Sequence, residues 1–249
     1  MSPYLAEFIG TAILILLGNG VVANVCLKKT KGHDAGWIVI AFGWGMAVTF
    51  GVIAVNHVSG AHINPAVTIG LASIGKFEPA LIPGYLCAQM LGAIAGACLV
   101  WLTYLPHWKE TEDPASIQAC FCTAPAIQHR VGNVLAEVIG TALLVFGVLA
   151  IGTLAAELEN GDTLALSRFF GTAVAPDLVG LLVFAIGLSL GGPTGYAINP
   201  ARDLGPRIAH AILPIIGKGG NSWEYAWIPI VGPIVGGIIG AMAHQSLGF

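Results

Sequence analysis

These 249 residues are 56% hydrophobic and only 9% charged, with 34 glycines and a net charge of −3, and the mean hydropathy is +0.82. A soluble domain is about one quarter charged and needs a polar coat, so lipid is the solvent here, and the length suffices for six spans of about 20 residues plus two shorter helices. The chain has no basic block, which leaves nothing to suggest nucleic acid as a partner.

The first apolar stretch, residues 4–27, is too long for a signal peptide, carries Glu7 near its start and lacks a basic leader, so it reads as span 1. A polar turn, Lys28 to Asp34, separates it from span 2 at about 36–56. The approach Val58-Ser59-Gly60-Ala61 then delivers His62-Ile63-Asn64-Pro65-Ala66-Val67. Asn is a preferred N-cap, and Pro is tolerated at the first helical position because its missing N–H would find no partner there. Between Pro65 and Lys76 there is room for roughly three turns, about 16 Å, or half of a ~30 Å hydrocarbon core. This helix enters the membrane and stops.

Span 3 covers about 80–104 and ends at Trp101, Tyr104 and Trp108, a cluster expected at headgroup depth. The polar loop at 105–130 holds Cys120 and Cys122, a lone C-x-C and a weak metal or disulfide signal, while Cys26, Cys87 and Cys98 read as small core residues. Span 4 is about 131–156, a mixed charged loop follows at 157–177, and span 5 is about 178–190. Gly191-Gly192-Pro193-Thr194-Gly195 leads into a second box, Ala197-Ile198-Asn199-Pro200-Ala201-Arg202, which opens a second short helix at 200–213. Span 6 begins near Trp223, Tyr225 and Trp227 and runs to about 244.

The chain repeats itself. Ala6-Glu7-Phe8-Ile9-Gly10-Thr11-Ala12 recurs as Ala136-Glu137-Val138-Ile139-Gly140-Thr141-Ala142, and Gly92-x-x-x-Gly96 recurs as Gly236-x-x-x-Gly240. A duplicated unit of three spans has odd parity, so its second copy enters from the opposite face. The expected fold is an all-α membrane protein with six transmembrane helices plus two re-entrant half-helices in an inverted 3+3 repeat. It forms one domain over 1–249, with repeats at 1–108 and 131–249. The half-helix tips meet near the bilayer centre.

Non-helical backbone is tolerated at that depth only where it is buried in protein or lines a watery cavity. Carbonyls of the approaches at 58–63 and 191–198 then form a ladder of acceptors, the two Asn side chains add donors, and two helix N-termini place about half a positive charge each at the same spot. Such a path suits a neutral polar solute and opposes cations and protons. Glu7 and Glu137, inside apolar helices, read either as acceptors for the N–H groups of the re-entrant loops or as a proton relay, and a relay would need further titratable partners that the spans lack. Arg202 can reach back to the pore mouth and, with an aromatic on the opposite wall, would make an amphipathic gate. Trp44 is a candidate for that wall or for plain core packing. His62 reads as a pore-lining donor. The remaining histidines show no ligand spacing, so no metal, cofactor or catalytic set is expected.

Two Asn-Pro-Ala boxes, Asn64-Pro65-Ala66 and Asn199-Pro200-Ala201, with the two glutamates and Ser59-Gly60-Ala61-His62-Ile63-Asn64-Pro65-Ala66-Val67-Thr68, closely resemble the aquaporin, or major intrinsic protein, family over essentially the whole chain. Asp203, directly after Arg202, is similar to the glycerol-facilitator branch. The resemblance implies a selectivity filter of Trp44, Gly187, Tyr196 and Arg202, with Gly187 leaving a wider opening than the histidine of water-selective members. It implies pore carbonyls from Gly60, Ala61, His62, Ile63, Gly195, Tyr196, Ala197 and Ile198, and structural support from Glu7, Glu137 and Asp203. Tyr196 stands where glycerol facilitators commonly carry phenylalanine, so its hydroxyl makes the filter more polar.

The expected protein is thus a passive channel in the plasma membrane for glycerol and other small uncharged solutes, passing water and excluding ions and protons. It is not an enzyme, and by resemblance it is a homotetramer. Lysine counts alone would put the termini outside; the family places them in the cytoplasm, and the expectation follows the family. The alternatives are a water-selective channel, a channel preferring neutral hydroxy acids such as lactic acid, and a proton-coupled transporter.

Overall fold

A computed structural model describes the backbone of residues 1–159 and 164–248, and no strand occurs among them. Six helices among the described residues are long and apolar enough to cross a membrane. They comprise α1 (Pro3–Cys26), α2 (Trp37–Ser59), α4 (Ile82–Thr103), α6 (Arg130–Glu159), the continuous path of α7 (Leu164–Phe169) and α8 (Ala175–Leu190), and α10 (Ile228–Ser246). Two shorter helices, α3 (Pro65–Ser73) and α9 (Pro200–Ile212), follow the boxes, and α5 (Pro114–Ala119) lies in the loop after α4.

The packing has the symmetry of an inverted 3+3 repeat. Helix α1 packs on α2 and α4, as α6 packs on α8 and α10, and α2 meets α8 across the middle. Each half-helix rests on the last span of the other repeat: α3 on α10 and α9 on α4. The two Gly-x-x-x-Gly pairs make close contacts within this chain. A Cβ at Gly92 would fall 2.3 Å from the Phe8 carbonyl oxygen, and one at Gly240 would fall 2.2 Å from that of Ala142, so only glycine permits these approaches of α4 to α1 and α10 to α6.

Three readings need correction. The segment before residue 178 is helical from Leu164 onward, not a loop, although part of the expected loop, residues 160–163, lies outside the described residues. Pro176 and the charges of Arg168 and Asp177 look like loop signals. The helix instead passes the proline by widening one turn, where the Ala175 N–H donates to the Phe170 carbonyl. Trp108 is not at an open interface: it is 2% exposed, donates from Nε1 to the Trp101 carbonyl at 3.0 Å and stacks on Phe121. Cys87 is exposed on the outer face of α4 rather than in the core. Cys120 and Cys122 are buried free thiols that burial pushes up, Cys122 to about 12, and no metal-holding group occurs among the described residues.

Candidate functional site

The loops ahead of the two boxes share an unusual backbone. Gly60, Ala61 and Ile63 have φ of 77°, 48° and 44°, and the matching Gly195, Tyr196 and Ile198 have 75°, 38° and 43°. This left-handed region is unfavourable for a residue with a Cβ and most of all for β-branched isoleucine, at roughly 1–3 kcal/mol per residue. It also turns the carbonyls out of helical alignment, and it leaves N–H groups that no helix can satisfy.

The two buried glutamates take up those groups. Glu7 Oε1 accepts from the Ser59 hydroxyl (2.7 Å) and the His62 N–H (2.9 Å), and its Oε2 accepts from the Ile63 N–H (2.7 Å) and Gln89 Nε2 (2.7 Å). Glu137 accepts from the N–H groups of Ala197 (3.0 Å) and Ile198 (2.7 Å). A carboxylate has about four acceptor sites and no donor, so it can face several N–H groups at once. Gln89 was not singled out from the sequence, and Ser59 and Thr68 were named there only as ends of the first box motif, with no role. A glutamine inside an apolar span was the available signal for the first.

At the boxes, Asn64 Oδ1 accepts from the Ala66 N–H (2.8 Å), and Asn199 Oδ1 accepts from those of Ala201 (3.0 Å) and Arg202 (3.2 Å), so both are N-caps of helices opened by Pro65 and Pro200. The side-chain amides cross over. Asn64 Nδ2 donates to the Ile198 carbonyl and Asn199 Nδ2 donates to the Ile63 carbonyl, both at 2.9 Å. Two rungs of the expected carbonyl ladder are therefore already engaged once, and this exchange uses one N–H of each asparagine amide.

His62 Nδ1 lies 3.0 Å from the Thr68 hydroxyl, which also reaches the Asn64 carbonyl at 3.2 Å and accepts from Gln89 Nε2 at 3.0 Å. His62 lines the cavity described next.

Two cavities flank the boxes. One, of about 260 Å³, is bordered by Gly60, Ala61, His62, Ile63, Asn64 and, from the other loop, Tyr196 to Asn199. The other, of about 640 Å³, opens between the loop at 115–126 and Leu188 to Gly195, with Gly195 on its wall. Trp44, Tyr196 and Arg202 line both, so the boundary between the cavities is this constriction.

Here two expectations change. Arg202 does not face Trp44 across an opening; its guanidinium carbon sits 4.1 Å over the Trp44 ring, a cation–π contact. Arg202 Nη1 reaches Asn19 Oδ1 and the Phe121 carbonyl only at 3.5 Å, and its Nε and Nη2 donate to no described residue. Nor does Gly187 leave an opening. A Cβ there would fall 2.7 Å from Tyr196 Cζ and 2.8 Å from its hydroxyl oxygen, so the glycine makes room for the tyrosine ring, which covers it. Trp37 locks this corner, stacking edge-on against Tyr196 at 5.8 Å and donating from Nε1 to the Gly187 carbonyl at 2.9 Å. The Tyr196 hydroxyl is buried and has no hydrogen-bond partner among the described residues. Trp37 and Asn19 were legible only as members of apolar spans.

Asp203 points away from this constriction. It accepts from the N–H (2.8 Å) and hydroxyl (2.7 Å) of Thr123 and from Arg207 Nε (2.9 Å) and Nη2 (2.7 Å), tying the loop before α6 to α9 through a fully buried ion pair.

Comparison with known proteins supplies the frame. The family model described as major intrinsic protein matches residues 1–244. The chain is 60% identical over 247 residues to a probable glycerol uptake facilitator protein of Thermotoga maritima, covering 99% of this chain and 100% of that one. It is 52% identical to a glycerol uptake facilitator protein of Bacillus subtilis, covering 99% of this chain and 85% of the other. Among solved structures it is similar to the aquaglyceroporin from Plasmodium falciparum, with a TM-score of 0.81 at 33% identity, covering 98% of this chain and 95% of that one.

Proposed function

Because the chain belongs to the major intrinsic protein family, we propose that it is a passive channel for glycerol and similar small uncharged solutes. The observation that carries this reading is the pair of cavities that meet at Trp44, Tyr196 and Arg202 beside the two asparagines. A polyol crossing there has aromatic faces for its carbon edge. Its hydroxyls meet the free donors of Arg202, the second amide N–H of Asn64 and Asn199, and the loop carbonyls.

Water follows the same route in this reading. Cations and protons are opposed by the Arg202 charge and by the N-termini of α3 and α9, which converge on the boxes. Trp44, Tyr196 and Arg202 form the selectivity filter, with Gly187 as the floor under Tyr196. Glu7, Glu137 and Asp203 hold the loops. The protein is a multi-pass membrane channel and not a catalyst; it sits in the plasma membrane with cytoplasmic termini, as a homotetramer of two-repeat subunits divided at 1–108 and 131–249.

Stopped-flow light scattering on reconstituted vesicles tests the proposal, comparing water, glycerol, urea and lactic acid at two pH values. Rapid, non-saturating glycerol entry that survives collapse of the pH gradient is expected. Swelling with water but no response to glycerol overturns the reading in favour of a water channel, and flux that stops with the pH gradient favours a coupled transporter.

A further inference from the structure

The widened turn between α7 and α8 leaves a carbonyl in need of a donor. Because the Ala175 N–H donates to the Phe170 carbonyl, Gly171 loses its α-helical partner. The next N–H that could serve it belongs to residue 176, a proline, which has none. The donor comes from a different helix: Asn56 Nδ2 reaches the Gly171 carbonyl at 3.2 Å.

This pair sits on the solute side of the wall. Asn56 and Gly171 both line the cavity of about 260 Å³, at the mouth away from the constriction. Apart from the loop that carries His62, the lining side chains on this side of the boxes, among them Val52, Leu144, Val148 and Ile151, are apolar, so Asn56 is the polar side chain beyond the start of that loop. Its Oδ1 accepts from no described residue. It also lies four residues before Gly60, whose N–H donates to the Asn56 carbonyl, so the amide stands about 5.4 Å, one helical turn, beyond the start of the loop carbonyls.

We propose that Asn56 Oδ1 and the Gly171 carbonyl form a second binding station for small neutral polyols at this mouth, exchanging solute hydroxyls with the carbonyl run that begins at Gly60. A carbonyl oxygen has two lone pairs, so Gly171 can accept from Asn56 and from a solute together. The station rests on the channel reading above and extends it by one polar step beyond the carbonyl run, where the remaining wall is apolar.

The test compares the parent protein with Asn56→Leu and Asn56→Ala in vesicles, using glycerol, 1,3-propanediol and water. Glycerol entry is expected to slow about fivefold, the worth of roughly one net hydrogen bond, 1,3-propanediol less, and water least. Water flux reports that each variant is folded, and if Asn56→Leu fails to insert, Asn56→Ala is judged by the same criterion. Unchanged fluxes, or a fall in the same proportion for all three, overturn the station and leave Asn56 a plain tether between α2 and the widened turn. If the parent itself passes no glycerol, it is the channel reading that fails.

Discussion

Asn64 and Asn199 hold each other at one remove: each side-chain amide donates to the carbonyl immediately before the other asparagine, at the same 2.9 Å. The tips of α3 and α9 are thereby fastened in register. Each Oδ1 at the same time caps its own helix.

Breaking this exchange is expected to act on both halves at once. Asn64→Ala removes a cap, at about 0.5–2 kcal/mol, and strips the Ile198 carbonyl of its partner, at about 1–3 kcal/mol more. Asn199→Ala does the same to Ile63. Thermal unfolding in detergent should show each single variant destabilised and the double variant less so than the sum, with a coupling of roughly 0.5–3 kcal/mol. Strict additivity would mean the two amides act independently.

Glutamine at position 7 or 137 preserves shape but turns half of an acceptor into a donor. In Glu137→Gln one of the Ala197 and Ile198 N–H groups must face an amide NH₂. An unpaired buried donor costs about 1–3 kcal/mol, and the left-handed backbone at Tyr196 and Ile198 loses its restraint. The expected result is a lower unfolding temperature and faster amide exchange across 195–198, with Glu7→Gln acting likewise across 60–63. Unaltered exchange in both loops would refute the restraining role.

At the constriction, Gly187→His is expected to fail as a single change because its Cβ alone would fall 2.7 Å from Tyr196 Cζ. Pairing it with Tyr196→Ala frees the space, so the double variant should fold better than the single one and show a lower glycerol-to-water permeability ratio than the parent. Equal ratios in the double variant and the parent would remove this corner from solute selection.

The buried thiols give a pH-dependent prediction. Burial raises Cys122 to about 12 and Cys120 well above its ordinary value. Only the thiolate is a good nucleophile, so at pH 7.5 both should resist a maleimide in the folded protein and react on denaturation. Reactivity at Cys122 should rise only as pH approaches its raised value. Fast labelling of the folded protein at neutral pH would show that the loop at 120–123 opens.

The boxes were legible because their signals are local. Asn before Pro is a helix start wherever it occurs, and the recurrence of Glu7 as Glu137 marks which span supports each loop. Contacts between distant segments were not legible in the same way. Arg168, Pro176 and Asp177 carry the composition of a loop, and what keeps them helical is a widened turn with its spare carbonyl served by Asn56, 115 residues away in sequence. Gly187 promised an open space only while the direction of the Tyr196 ring was unknown. Spacing sets Trp44 two turns past Trp37 along α2, but that Arg202 lies on its face depends on how α2 and α9 are turned toward each other. The Gly-x-x-x-Gly pairs named a close contact without naming the partner, which proved to be the first span of the same repeat.

The crossed seating of the half-helices has a consequence for how the molecule is made. Helix α3 rests on α10, so the first re-entrant loop has no complete bed until the last span has left the ribosome. Early in translation Pro65 to Ser73 must wait, and a chain truncated before Ile228 would leave that segment without its seat however intact the earlier spans are. Neither half is a finished product by itself, and co-produced halves should mature only in each other's company.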